Sequence, residues 1–190
     1  MSRAMLRPLA CLLLAFVYVP PAAAQRVTAI DYGRSEIRFV GKQMGVPAEG
    51  RFGKFSAQLD FDPAKPAAGS AALEIDLNSF DTGTPEVDTE VKRRPWLNVA
   101  AFPTATFVST AIKPLGGNRY EVAGRLTIKG LTRDLRAPFT VRNDGAALIL
   151  EGRFTLLRLE FGIGGGPWAD TDTVADEVQV RIKLTGVPKG

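Results

Sequence analysis

Val178-Gln179-Val180-Arg181-Ile182-Lys183-Leu184-Thr185 alternates apolar and polar side chains at every step. Successive side chains of an extended strand point to opposite faces, so this stretch makes one greasy face and one charged face. The same period of two recurs upstream. Ser35-Glu36-Ile37-Arg38-Phe39-Val40-Gly41 puts Ile37 and Phe39 together, and Phe55-Ser56-Ala57-Gln58-Leu59-Asp60-Phe61 runs into the turn-forming pair Asp62-Pro63. Leu73, Ile75 and Leu77 alternate with Glu74 and Asp76. In the later half Tyr120, Val122, Leu126 and Ile128 share a face, as do Leu135, Ala137, Phe139 and Val141, then Leu148, Leu150, Phe154 and Leu156.

Asn118, Gly130 and Asn143-Asp144-Gly145 sit where turns are needed, and the last two spacings predict antiparallel hairpins. Ala105 to Ile112 adds a strand with a less regular pattern. The expectation is an all-β domain, an eight-stranded antiparallel lipocalin-like barrel, a size at which a barrel can enclose one small ligand. One helix interrupts it near residues 85–94. Thr84 is placed to cap it, Pro85 suits its first position, and Asp88/Lys92 and Glu90/Arg94 are spaced for i, i+4 pairing. Pro95 ends it, and Trp96-Leu97 follow as a lid over one mouth.

Arg3 and Arg7 precede an apolar run from Leu9 to Val19 and then Pro20-Pro21-Ala22-Ala23-Ala24. That order reads as a secretory signal peptide over residues 1–24, leaving a single domain over 25–190 in the periplasm. Cys11 is the lone cysteine of the chain, and the apolar run follows it rather than preceding it, which speaks against a lipidation box. A chain exported without a cysteine has no disulfide, so its core must supply the stability.

The formal charge of +4 falls by two when Arg3 and Arg7 leave with the signal. A near-balanced, mixed surface argues against a nucleic-acid protein. The chain contains no histidine, which removes Ser-His-Asp and Cys-His catalysis and imidazole metal sites. Carboxylates, hydroxyls, Lys, Arg and Tyr are what remain for chemistry. Glu160 and Asp76 are the acid or base candidates of a barrel enzyme, and the leading expectation is a protein without catalysis. Asp170, Asp172, Asp176 and Glu177 cluster beyond Gly162-Ile163-Gly164-Gly165-Gly166, but match no EF-hand loop and read as a solvated loop. Lys92-Arg93-Arg94 reads as a solvated helix end whose cations suit the helix dipole. Arg158, beside the glycine-rich segment, fits two roles: an interior charge that orients a polar head group, or a loop anchor. Periodicity leaves open whether the phenylalanine-rich faces pack a filled core or line a void.

Several short motifs recur in one order: Ser35 with Phe39, Gly50-Arg51-Phe52 with Phe55, and Phe61-Asp62-Pro63. They continue as Ile75-Asp76 with Ser79 and Thr82-Gly83, Phe102-Pro103 with Phe107 and Ser109, and Gly124-Arg125-Leu126-Thr127-Ile128-Lys129-Gly130-Leu131-Thr132. Arg158-Leu159-Glu160-Phe161-Gly162 closes the series. This order resembles the YceI-like family, exported lipocalin-like barrels associated with polyisoprenoid lipids. Two positions depart from it. Arg34 stands where the family often has histidine, and Lys92-Arg93-Arg94-Pro95-Trp96-Leu97 stands where it has Arg-Asp-x-His-Leu.

The resemblance implies sequestration or carriage of an isoprenoid lipid, a prenyl quinone or polyprenyl carrier, with its tail along the barrel axis. The expected lining is Ile37, Phe39, Phe55, Leu59, Phe61, Leu73, Ile75, Phe107, Val122, Leu126, Phe139, Phe154, Phe161 and Trp168, with Arg158 a candidate head-group contact. No metal or cofactor is expected besides the bound lipid. The family context is compatible with a transient inner-membrane partner, and the sequence leaves the oligomeric state open.

Overall fold

The computed structural model describes residues 26–188, so the signal peptide expected over 1–24 lies outside the described residues. Eleven strands form one antiparallel sheet: β1 (Ala29–Ile30), β2 (Glu36–Gln43), β3 (Val46–Phe52), β4 (Phe55–Asp60), β5 (Ser70–Asp76), β6 (Phe80–Asp81), β7 (Thr104–Gly116), β8 (Arg119–Ile128), β9 (Leu131–Asp144), β10 (Ala147–Leu157) and β11 (Glu177–Val187). Their order across the sheet is β4-β5-β7-β8-β9-β10-β11-β2-β3-β6, with β1 pairing β11 off this path. The sheet curls into a lipocalin-like half-barrel, and one helix, α1 (Pro85–Val91), interrupts the strand series.

The expected count of eight strands is corrected to eleven. The eight anticipated strands all form; β1, β3 and β6 are additional. β1 and β6 are two residues long, too short for a periodic signal. β3 carries Pro47 and Gly50 and exposes most of its residues, so it lacks the alternation that betrays its neighbours. It forms because β2 turns back through Met44-Gly45, both at positive φ (49° and 79°), the geometry of a tight two-residue hairpin. Lys129-Gly130 (φ 51° and 76°) does the same between β8 and β9.

The edge strands do not pair with each other. The β3–β4 link is held by a 3-10 turn, where Gly53 N donates to Ser79 O (3.0 Å) and Lys54 N to Ser79 Oγ (2.9 Å). At the other end Val27 bridges Phe61 while β1 pairs β11, so the N-terminal segment ties β11 to the end of β4. Pro138, which has no N–H to donate, lies just beyond the last β9–β10 pair, Phe139 with Gly152.

Helix α1 is shorter than the expected 85–94, because the chain tightens into turns from Lys92 onward. The anticipated i, i+4 ion pairs are also replaced. Asp88 Oδ1 instead accepts from Thr82 N (2.9 Å) and Thr82 Oγ1 (2.7 Å), and Glu90 pairs with Arg93 (2.9 Å). Thr84 makes no side-chain capping bond. The Asp88 contacts thereby latch the helix to the segment after β6.

On the outer wall, register produces an unusual row: Arg51 faces Arg38, Arg38 faces Arg181, and Arg181 faces Arg153 across β3, β2, β11 and β10. Two members are neutralised, Arg51 by Asp81 and Arg38 by Glu36. Like charges directly opposed across strands oppose pairing. Two residues along, the order Glu36, Lys183, Glu151 alternates in sign, as cross-strand attraction favours.

Candidate functional site: an apolar cavity inside the half-barrel

The inward faces do not meet along the whole axis. One end is filled: Val27, Ile37, Leu59, Phe61, Tyr120 and Leu148 belong to a buried cluster in which Phe61 stands edge-on to Tyr120 (5.2 Å) and Phe139 (5.9 Å). A second cluster gathers Leu77, Phe80, Trp96, Leu97, Phe161 and Ile163 near the helix and the glycine-rich loop. Beside it Phe39 stacks on Phe80 (4.8 Å) and tilts against Phe52 (5.4 Å). A cavity of about 550 Å³ is lined by residues of both clusters, a size typical of small-molecule sites.

The cavity wall is almost wholly apolar, and its charged members are few: Lys42, Glu86, Glu90 and Arg158. Lys42 comes from the β2–β3 hairpin and the two glutamates from α1, with Gln43 and Thr82 nearby, so the mouth lies between hairpin and helix. Met44 N donates to Thr173 O (2.8 Å) and Ala175 N to Lys42 O (3.0 Å), which fastens the 170–176 loop to this rim. Met44 and Val46 at the hairpin tip and Val87 on the helix remain exposed.

Of the fourteen expected lining residues, Ile37, Phe39, Leu59, Leu73, Ile75, Phe107, Val122, Leu126, Phe139, Phe154 and Trp168 line the cavity. Three do not. Phe55 turns to meet Tyr32 edge-on (5.6 Å) at the start of β4. Phe61 plugs the filled end beyond the last residue of β4. Phe161 lies in a 3-10 turn and is buried under the glycine-rich loop. Val178, Val180, Ile182 and Leu184 also line the wall and were missing from that expectation, although theirs is the cleanest alternation in the chain. Phe52, Phe80 and Trp96 join them from segments without strand periodicity.

Of the two roles left open for Arg158, its contacts are those of a loop anchor. It is 2% exposed, and each of its five N–H donors meets a backbone carbonyl. Nε donates to Ala175 O (3.1 Å), Nη1 to Ile163 O and Gly164 O (2.8 Å each), and Nη2 to Trp168 O (2.8 Å) and Val174 O (2.7 Å). No donor is left for a ligand. Burial pushes its pKa below the usual guanidinium range, and the Asp176 charge works against that shift. The guanidinium also lies 5.7 Å from the centre of the Trp96 ring, a cation–π arrangement.

The remaining polar candidates are occupied elsewhere. Asp170 accepts from Thr173 Oγ1 (2.7 Å) and Asp172 N (3.0 Å), which holds its carboxyl below the ordinary carboxylate range. Asp176 accepts from Leu159 N (2.9 Å), so the acidic loop is pinned by its own hydrogen bonds. Among the described residues no group of three or more Asp, Glu, His or Cys is placed to hold a metal ion. Asp76 accepts from Asn78 N (2.9 Å), and neither it nor the exposed Glu160 lines the cavity.

Comparison with known proteins matches a YceI-like domain over residues 29–186. A UPF0312 protein of Pseudomonas aeruginosa is 32% identical over 144 residues, 73% of each chain. The crystal structure of Burkholderia cenocepacia BcnA superposes with a TM-score of 0.81 at 46% identity, covering 83% of this chain and 99% of that one. A domain from Saccharophagus degradans described as polyisoprenoid binding shares the fold at 16% identity, with a TM-score of 0.68 and coverage of 87% and 100%. With the family pattern matched from β1 into β11 and the curled sheet shared with these structures, the chain belongs to the YceI-like family.

Proposed function

We propose that this protein is exported to the periplasm and there sequesters or carries an isoprenoid lipid, such as a prenyl quinone, within the half-barrel. One observation carries the reading: an apolar cavity of about 550 Å³ whose polar rim residues gather at one mouth. A flexible hydrocarbon tail gains from such a wall, and a modestly polar head is left at the rim. The polyisoprenoid-binding description of the Saccharophagus degradans relative supports the same ligand class. The charged groups of the lining sit at the mouth or are fully engaged by backbone, which favours binding over catalysis.

Each isoprene unit adds about five carbon groups, a gross gain of about 4 kcal/mol at ~0.8 kcal/mol per group, less the cost of ordering the tail. Affinity for prenyl quinones of fixed head group therefore rises with each added unit until the cavity is full, then levels off. Trp96 and Trp168 both line the cavity, so their fluorescence follows the titration. A flat response from the shortest tail to the longest refutes the proposal. Solvent extraction of the purified protein, followed by mass spectrometry, identifies the native ligand.

A further inference from the structure

The four arginines of the outer row stand on adjacent strands, Arg51 on β3, Arg38 on β2, Arg181 on β11 and Arg153 on β10. Neighbouring strands lie about 5 Å apart, so the row spans about 15 Å of exposed wall. Asp81 neutralises Arg51 (2.9 Å) and Glu36 neutralises Arg38 (2.8 Å). Among the described residues Arg153 and Arg181 have no ion-pair partner, although they face each other directly. This wall is able to alternate its signs, since Glu36, Lys183 and Glu151 do so two residues along. The row is therefore a local departure that weakens the sheet and calls for anions from outside the chain. It borders a groove of about 630 Å³ on the outside of the sheet. Five cations line that groove, Arg119 and Lys183 joining Arg38, Arg153 and Arg181, against three glutamates. Two of the three are already engaged, Glu36 by Arg38 and Glu151 by Arg142 (3.9 Å); Glu49 is the third. Leu115 lines the same groove and is 49% exposed, an apolar side chain set among cations.

We infer that this wall is a docking surface for an anionic lipid bilayer, with phospholipid phosphates along the arginine row and Leu115 entering the head-group layer. Free cations and an exposed apolar side chain are the two contributions that hold a protein at such a surface. A row spread evenly over four strands meets an array of phosphates, whereas a single bound phosphate needs donors that converge on one point. The inference goes beyond the lipid-binding reading and does not depend on it: the bilayer meets the outer face of the sheet, and the cavity lies behind the inner one.

The test is flotation of the protein purified after export with vesicles of phosphatidylcholine, alone or mixed with phosphatidylglycerol. Three double variants accompany wild type. Arg153→Gln with Arg181→Gln removes the free cations, and Arg153→Lys with Arg181→Lys keeps their charge. Lys65→Gln with Arg125→Gln removes the same charge from exposed sites away from the groove. Wild type is expected to float with the phosphatidylglycerol vesicles only and to be released by salt. The glutamine pair in the row loses about thirtyfold in partitioning, about fivefold for each cation, while the lysine pair and the distant pair lose less than about threefold. The melting temperature of the glutamine pair stays unchanged or rises, which separates lost docking from lost folding. Equal losses from the row and the distant pair, an equal loss with lysine, or a wild type that ignores anionic vesicles overturns the docking assignment. So does a wild type stabilised by inorganic phosphate through Arg153 and Arg181 yet absent from the vesicles, which assigns the row to a soluble anion. A flat prenyl quinone titration with flotation intact refutes the function proposed above and leaves the docking surface standing.

Discussion

Replacing Arg158 by lysine separates an anchoring role from a ligand contact. Five guanidinium N–H groups meet five carbonyls of residues 163–175. An ammonium has three donors, so at least two of those carbonyls lose their partner. Orphaned buried carbonyls cost about 1–2 kcal/mol each, which sums to about 2–4 kcal/mol. With a urea dependence of roughly 2 kcal/mol per molar for a domain of this size, Arg158→Lys lowers the unfolding midpoint by about 1–2 M. Arg158→Met removes all five bonds and leaves a chain near or beyond its stability limit, since whole domains hold only about 5–15 kcal/mol. The assay is equilibrium urea unfolding followed by circular dichroism. A midpoint for Arg158→Lys within about 0.2 M of wild type refutes the anchoring argument. So does a selective loss of affinity for lipids with anionic heads at unchanged stability.

Two further substitutions probe other parts of the molecule. Val122→Phe adds bulk into the cavity and is expected to cost under about 1 kcal/mol in stability while lowering lipid affinity at least tenfold; Val27→Phe adds similar bulk to a fully buried site in the filled end and costs about 1–3 kcal/mol. Equal stability losses in urea melts contradict the division into a filled end and an open one. Arg181→Gln relieves the repulsion along the outer row Arg51, Arg38, Arg181, Arg153 and raises the melting temperature by roughly 1–4 °C at low salt, with the gain shrinking as salt is added. A lower melting temperature contradicts the like-charge account.

The sequence determined eight of the eleven strands and, for most of their residues, which face points inward. That information is local: a period of two in β2, β4, β5 and β8–β11 follows from strand geometry alone. It therefore placed Ile37, Leu73, Val122, Leu126 and Phe154 on the wall without reference to any partner. It also ruled out imidazole chemistry outright through the absence of histidine. β3 escaped because its strand character comes from pairing with β2, and Pro47 and Gly50 hide it from a propensity argument. Phe55 escaped because it is diverted by Tyr32, a neighbour distant in sequence, and Phe161 because it sits in a 3-10 turn rather than on a strand.

The tertiary structure alone decided between a filled core and a void, because the distance between opposite walls depends on how eleven strands curl and where the sheet is bridged. It decided the role of Arg158 in the same way. Five carbonyls from two segments must converge before a guanidinium is spent on them, and no spacing in the chain announces that convergence. Periodicity is a property of neighbours in sequence, whereas a cavity and a saturated donor are properties of neighbours in space.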